Sequence, residues 1–427
     1  MMNRNWFYAS PILFVMAFYG GELVGQYRCQ HANDALAVSA NDVINKIRGG
    51  IKSHGDLHAK QNVILVNQSQ SSVVNSSELE HSMTSIAVAN LTDAELFDNE
   101  SSATSWKEKM IQYFSATKCK FAPPEFQGVT WLKQIFVLIG VQKGGTKALH
   151  TFLEENPQFV SRCDEKVATK ELFFFNNITS IKGKIDQLEL QKQYANHIQT
   201  KCPLAVADLL SNSSKMYLDD TPLYIQDSHE IPQLINCATP KSKIMAILRN
   251  PTDRAFSHFN FYLDRNWCME RTFDEWVDMN IYQLTESGVV QAKDPYEELL
   301  AWERYNTNPQ YRGARKCLTF VTRGIYAIQL LHYMTALTAA NRSEADLHVI
   351  SSESLIGDQK QQEYDKVLQF LGLAPHTLHH EGAVHKTVYE RTMNETTRIK
   401  LNSFFRPYNL RLYEMLNWDP IWEKNSF

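Results

Sequence analysis

From residue 106 to the C-terminus, short apolar runs alternate with apolar positions at helical spacing. Residues 135–139 (IFVLI) and 244–248 (IMAIL) are unbroken apolar runs, as expected of strands buried on both faces of a parallel sheet, and 347–351 (LHVIS) reads as a third strand. Helical periodicity covers 146–155, 253–264, 326–337, 361–371 and 395–405. Strand and helix in alternation predict an α/β fold, with one domain spanning 106–427 and no internal repeat.

The pattern before residue 106 is different. Residues 6–21 (WFYASPILFVMAFYGG) are apolar, preceded by Arg4 and followed by Glu22. They predict a single signal-anchor helix within 1–24 with the N-terminus in the cytosol; a cleaved signal peptide is the competing reading. Between Cys29 and Thr104 the only aromatic residue is Phe97 and proline is absent, where the chain-wide 11% would give about eight aromatics. Residues 25–105 therefore lack the large side chains of a core and predict a flexible lumenal stem, with a short amphipathic helix around 37–47.

Composition narrows the class. Hydrophobic residues make up 44% and charged residues 21%, an ordinary globular balance that excludes a collagen-like or fully disordered chain. With 43 Lys+Arg against 47 Asp+Glu the formal charge is −4, so no overall basic field attracts nucleic acid, and an anionic ligand needs a local site. The 7 cysteines contain no CxxC pair, against a zinc ribbon, and no metal-ligand cluster is visible. Sequons at Asn67, Asn75, Asn90, Asn99, Asn177, Asn212, Asn341 and Asn394 fit a glycoprotein of the secretory pathway, where disulfides are permitted. Cys119, Cys163, Cys202, Cys237, Cys268 and Cys317 allow fifteen pairings, and Cys29 is the odd one, free or linking a dimer.

Two elements carry candidate chemistry. After the first strand comes GVQKGGTKAL, residues 140–149: strand, glycine-rich turn, helix. Glycines let successive amides face one anion, the helix N-terminus adds partial positive charge, and Lys143 adds a full one. The order Gly145-Thr146-Lys147 transposes the Lys-Ser/Thr of a nucleotide-triphosphate loop, which breaks the roles of that lysine and hydroxyl. A turn without a ligand is the plainer reading. After the strand 244–248 comes RNPTDRAFSH, residues 249–258, with Arg249 at the strand's carboxyl end, Thr252 or Asp253 as helix cap, and Ser257 within reach of the same phosphate. A structural salt bridge is the alternative for Arg249. His258 reads as a packed helix residue or, less simply, as a base.

GVQKGGTKAL and LRNPTDRAFSHF together resemble the two nucleotide-binding motifs of sulfotransferases that use 3′-phosphoadenosine 5′-phosphosulfate (PAPS), in particular the Golgi carbohydrate branch that includes the heparan sulfate enzymes. The resemblance extends through KELFFF at 170–175, through Arg323-Gly324-Ile325-Tyr326, and through 393–422. It implies a P-loop-like three-layer domain with a central parallel sheet. Lys143, Gly144, Gly145, Thr146 and Lys147 would then wrap the 5′-phosphosulfate, Arg249 and Ser257 would hold the 3′-phosphate, and Arg323, Gly324 and Lys386 would add further nucleotide contacts. Glu171 would be the general base and Lys143 would stabilise the leaving phosphate, with no metal. The lysine that related enzymes carry near Asp220 and the C-terminal cysteine pair of the heparan sulfate enzymes are both absent here.

The expected activity is sulfuryl transfer from PAPS to a hydroxyl, or an amine, of a glycan by a Golgi membrane enzyme with a single N-terminal span and a lumenal catalytic domain. The same chemistry on protein tyrosine or a small alcohol is the nearest alternative. A catalytically silent glycan-binding protein is the alternative from a different class.

Overall fold

The structure, a computed structural model, describes residues 13–19, 22–29 and 62–66 by their backbone, and residues 104–115, 119–120, 128–160, 171–178, 183–226, 230–308, 311, 317–379 and 391–423. The chain divides into two units, Met1–Asn99 and Glu100–Phe427.

In the first unit, β1 (Leu13–Tyr19) pairs antiparallel with β2 (Glu22–Cys29) and with β3 (Asn62–Val66). These strands fall within the stretch for which the sequence predicts a signal anchor over 1–24 and a stem over 25–105. Aromatic and β-branched residues dominate 13–19, and NVILV at 62–66 is strand-prone. The helix expected around 37–47 lies outside the described residues. Among the described residues no helix is long and apolar enough to cross a membrane.

The second unit is three-layered α/β. It opens with α1 (Trp106–Ser115) and β4 (Cys119–Lys120), followed by β5 (Ile135–Leu138), α2 (Thr146–Glu154) and β6 (Phe159–Val160). Next come α3 (Phe174–Ile178), β7 (Ile185–Asp186), α4 (Gln187–Lys201), α5 (Pro203–Ser211) and β8 (Met216–Asp220). Then follow α6 (Glu230–Ala238), β9 (Ile244–Leu248), α7 (Pro251–Leu263), α8 (Phe273–Glu286) and α9 (Pro295–Thr307). The chain closes with α10 (Tyr326–Ala339), β10 (Leu347–Ser351), α11 (Ser352–Ile356), α12 (Lys360–Leu371) and α13 (Glu395–Leu416).

The central sheet has five strands in the order β10-β9-β5-β8-β6, all parallel. Its apolar runs serve both faces by strand alternation. Ile135, Val137 and Ile139 join the core under α4, α6 and α10, while Phe136 and Leu138 join the opposite core under α2 and α12. After β5 the chain builds β6 and β8 on one side, then crosses to β9 and β10 on the other. The order thus reverses between β5 and β9, and the crevice beyond their carboxyl ends is where such sheets bind ligands. Both sequence motifs leave the sheet there.

Two local details differ from the sequence reading, and a third settles pairings it left open. Asn250, not Thr252 or Asp253, caps α7: its side chain accepts from the Thr252 and Asp253 amides, and Pro251 is the first helical residue. Helix α13 does not stop near Phe405 but runs through Pro407 to Leu416. Burial of Leu412 and Tyr413 in the main core offsets the hydrogen bond that Pro407 cannot make. Of the cysteines, Cys119 pairs with Cys237 and Cys268 with Cys317. Cys202 is also disulfide-bonded, to a cysteine outside the described side chains.

Candidate functional site

The glycine loop is zipped to β9 beyond the end of β5. The Ile139 and Val141 amides donate to the Met245 and Ile247 carbonyls at 2.9 Å each, and the Ile247 amide donates to the Gly140 carbonyl at 2.8 Å. This tight path requires glycine at 144, where an added Cβ would lie 2.7 Å from the Ile247 carbonyl oxygen. Gly145 (φ 109°) and Lys143 (φ 68°) both have left-handed backbones, which glycine adopts freely and lysine only at a cost of about 1–2 kcal/mol. Gly145 is the N-cap of α2 and supplies no side-chain cap, which leaves the first turn as the type of helix N-terminus that suits an anion.

Cations converge on this loop. The Lys143 ammonium sits 4.8 Å from the Phe261 ring centre, and the Arg265 guanidinium is 3.6 Å from the same ring. Burial, reinforced by Arg249, Lys147 and Arg265 and opposed by Asp264, lowers the Lys143 pKa to about 8. A cation depressed by burial and by its cationic neighbours marks a place that an anion would stabilise.

The second motif is braced from below. The Tyr326 hydroxyl donates to the Arg249 carbonyl at 2.8 Å, and the Asn250 amide donates to Glu353 at 2.8 Å. Ser257 is buried on α7. Arg323 donates to the Gln142 side chain and contacts His258 Nε2 at 3.2 Å, so it joins the glycine loop to α7. Burial, with Arg323 and Arg254 nearby, holds the His258 pKa well below its usual value, so the ring is neutral. Arg254 is fully buried and donates to the Phe320 carbonyl, while its Nε and Nη1 have no partner among the described residues.

Glu171 lies just before α3. Burial raises its pKa, with Lys147, Arg323 and Lys201 pulling it down and Asp219 pushing it up. A buried polar network fixes the backbone that follows it. Thr221 Oγ1 accepts from the Leu172 and Phe173 amides at 3.1 and 3.3 Å, and the Tyr224 hydroxyl accepts from the Phe174 amide at 3.1 Å. Both hydroxyls in turn donate to Asp219, as does Tyr194 at 2.7 Å. Burial outweighs these bonds and raises the Asp219 pKa to about 6. With both oxygens engaged, Asp219 organises the segment. Lys201 clamps the same segment, donating to the carbonyls of Glu171 and Leu172 at 3.2 and 3.1 Å.

A family model described as "Sulfotransferase domain" matches residues 133–406. The chain belongs to the sulfotransferase domain family.

The matched span of this sulfotransferase domain includes the glycine loop, Glu171, the Arg249 motif and Arg323. Mouse bifunctional heparan sulfate N-deacetylase/N-sulfotransferase 4 is 24% identical over 306 residues, covering 66% of this chain and 30% of that protein. Mouse heparan sulfate glucosamine 3-O-sulfotransferase 5 is 23% identical over 297 residues, covering 66% of this chain and 73% of the relative. Membrane-associated sulfotransferase kil1 of Dictyostelium discoideum is 20% identical over 339 residues, covering 67% and 66%. The chain spans less than a third of the length of the N-deacetylase/N-sulfotransferases it matches. A solved sulfotransferase from Alicyclobacillus acidocaldarius aligns with a TM-score of 0.43 at 19% identity, covering 66% of this chain and 96% of that one.

Within the sulfotransferase domain, electrostatic coupling brings together Lys143, Lys147 and Arg249, and separately Glu171, Lys147 and Arg323. Gly324 plays a packing part: a Cβ there would lie 2.8 Å from Phe405 and 2.9 Å from Pro251. Lys386 and Lys170 lie outside the described residues. Among the described residues no group of His, Cys, Asp and Glu is placed to hold a metal ion. Sequence reasoning missed Gln142, Lys201, Arg265 and the Asp219 network. The one local signal was the strand-end pair Asp219-Asp220, polar residues in a run that is otherwise strand-like.

Proposed function

We propose that the chain transfers a sulfuryl group from PAPS to a hydroxyl, or an amine, of a heparan sulfate-type glycan. The observation that carries this reading is Glu171, a carboxyl raised by burial yet coupled to Lys147 and Arg323 beside the glycine loop. The donor's chemistry fits the residues present. Arg254 Nε and Nη1 and Arg323 Nε, buried and without a partner among the described residues, and the depressed Lys143 mark a positive region that a doubly phosphorylated nucleotide would neutralise.

In this reading the loop amides and Lys143 hold the 5′-phosphosulfate, and Arg249 and Ser257 hold the 3′-phosphate. Arg323 and Lys386 add nucleotide contacts. Glu171 takes the proton from the acceptor while its oxygen or nitrogen attacks sulfur. The bond from sulfur to the bridging oxygen breaks, and adenosine 3′,5′-bisphosphate leaves with its new charge facing Lys143. Positioning and fixed charge would supply most of the acceleration, as in the analogous phosphoryl transfers.

The glycan acceptor rests on the heparan sulfate named for two of the relatives. A Golgi membrane location with a lumenal domain rests on the apolar residues 6–21, the sequons and one membrane-associated relative. Inside a bilayer that stretch would have to be helical, because an open hairpin leaves backbone groups unsatisfied. The deciding experiment pairs nucleotide binding with an acceptor screen. Adenosine 3′,5′-bisphosphate should bind in EDTA, and labelled PAPS should sulfate a desulfated heparan in a panel that includes tyrosine peptides. Preference for Mg·ATP, or labelling of peptides alone, would overturn the reading.

A further inference from the structure

A groove of about 310 Å³, lined by Phe174, Gln193, Asn196, His197, Thr200 and Lys201, runs along α4. The helical positions 193, 196, 197 and 200 follow the spacing that places side chains on one face. Tyr194 and Ile198, on the other face, are fully buried in the core.

Two of the lining residues touch the backbone that carries the proposed base. Lys201 donates to the Glu171 and Leu172 carbonyls, and His197 Nε2 lies 2.9 Å from the Leu172 carbonyl. A carbonyl only accepts, so Nε2 carries the hydrogen. Burial lowers the His197 pKa, so the ring is neutral and its Nδ1 is an acceptor. The ammonium of Lys201 has three donors, of which two carbonyls use two. The Gln193 amide nitrogen donates to Glu189 at 2.8 Å, which leaves its oxygen as an acceptor. Asn196 offers a donor and an acceptor, and the Phe174 ring, 5.4 Å from that of His197, gives an apolar wall.

We infer that this groove is an acceptor subsite, which takes a saccharide ring neighbouring the one that is sulfated. The inference rests on the proposed sulfuryl transfer to a glycan. Three observations support it. The volume lies at the lower end of small-ligand sites, about 300–1,000 Å³, so it admits a sugar ring and not the surface of a folded partner. Paired donors and acceptors beside an aromatic wall suit a ring with hydroxyls on its edge and C–H groups on its face. The remaining Lys201 donor suits the carboxylate or sulfate that such a chain carries. The groove also lies against the segment that carries the proposed base, because Lys201 bonds the Glu171 and Leu172 carbonyls and His197 the Leu172 carbonyl.

The test compares acceptors of different length on the full chain with PAPS as donor. Asn196→Trp fills the groove from an exposed helix position, and the double variant Gln193→Ala/Thr200→Val strips its polar edge without adding bulk. For a heparan-type octasaccharide, Asn196→Trp should raise KM about tenfold or more and the double variant severalfold, with kcat changed much less. The KM of a disaccharide and the affinity for adenosine 3′,5′-bisphosphate should not move. Octasaccharide KM values equal to wild type in both variants would overturn the subsite while leaving the reaction intact. A wild-type chain that sulfates tyrosine peptides and no glycan would overturn both.

Discussion

The Tyr326 hydroxyl donates to the Arg249 carbonyl at 2.8 Å, so a residue far along the chain fixes the strand end from which the proposed 3′-phosphate ligand projects. Tyr326 is buried, and its replacement by phenylalanine leaves that carbonyl without this donor. Tyr326→Phe should cost about 1–3 kcal/mol of stability in denaturant titration. It should also weaken adenosine 3′,5′-bisphosphate binding severalfold. Unchanged nucleotide affinity would show that Arg249 is held by other contacts.

Replacing Arg249 or Ser257 by alanine should weaken adenosine 3′,5′-bisphosphate more than adenosine 5′-phosphate, since only the first has a 3′-phosphate. A charge-assisted contact of about 1.5–3 kcal/mol corresponds to roughly ten- to a hundredfold in Kd by calorimetry. Equal losses for the two nucleotides would remove both residues from the 3′-phosphate site.

Glu171→Gln keeps size and polarity but cannot take a proton. Donor affinity should stay near wild type while turnover drops by about 10²–10⁴. Lys143→Ala should damage both, because Lys143 would touch the phosphosulfate before and during transfer. Near-normal turnover in a folded Glu171→Gln enzyme would exclude Glu171 as the base.

The two groups also set a pH profile. Glu171 must be ionised to act, and burial raises its pKa, so kcat/KM should climb with pH through a value above the ordinary carboxylate range. Lys143 must be protonated, and its pKa is lowered to about 8, so kcat/KM should fall again as pH rises through that value. Lys143→Arg keeps its charge and should move the alkaline limb to higher pH. An alkaline limb that stays in place would assign it to another group.

Much of this site was legible locally. IFVLI and IMAIL marked the strands on either side of the switch point, and the glycines and Arg249 followed them directly in sequence. The strand Met216–Asp220 escaped the apolar-run criterion because it ends in two aspartates, the first of which is buried to anchor Thr221, Tyr224 and Tyr194. Lys201 and the link from Gln142 through Arg323 to His258 join residues distant in sequence, so no window along the chain could display them. Helix α13 runs past the periodic stretch 395–405 and through Pro407, a local penalty that burial beyond it overrides.

The sequon asparagines within the described residues, Asn177, Asn212, Asn341 and Asn394, are all exposed. Protein secreted from or retained in eukaryotic cells should lose mass on treatment with an N-glycosidase, read by gel or mass spectrometry. A full-length cytosolic protein without glycans would refute the lumenal assignment.

The Cys119–Cys237 bond spans a sequence separation of 118 residues, which gives the molecule a built-in delay during its own synthesis. At about 5–20 residues per second, Cys119 emerges roughly 6–24 s before its partner exists. Throughout that interval its thiol must be kept from the other cysteines as they appear, a task that in the proposed lumenal setting falls to oxidoreductases. Synthesis in a reducing cytosol removes the choice altogether and leaves β4 without its covalent tie to α6. How the protein is produced will therefore decide how much of it is competent.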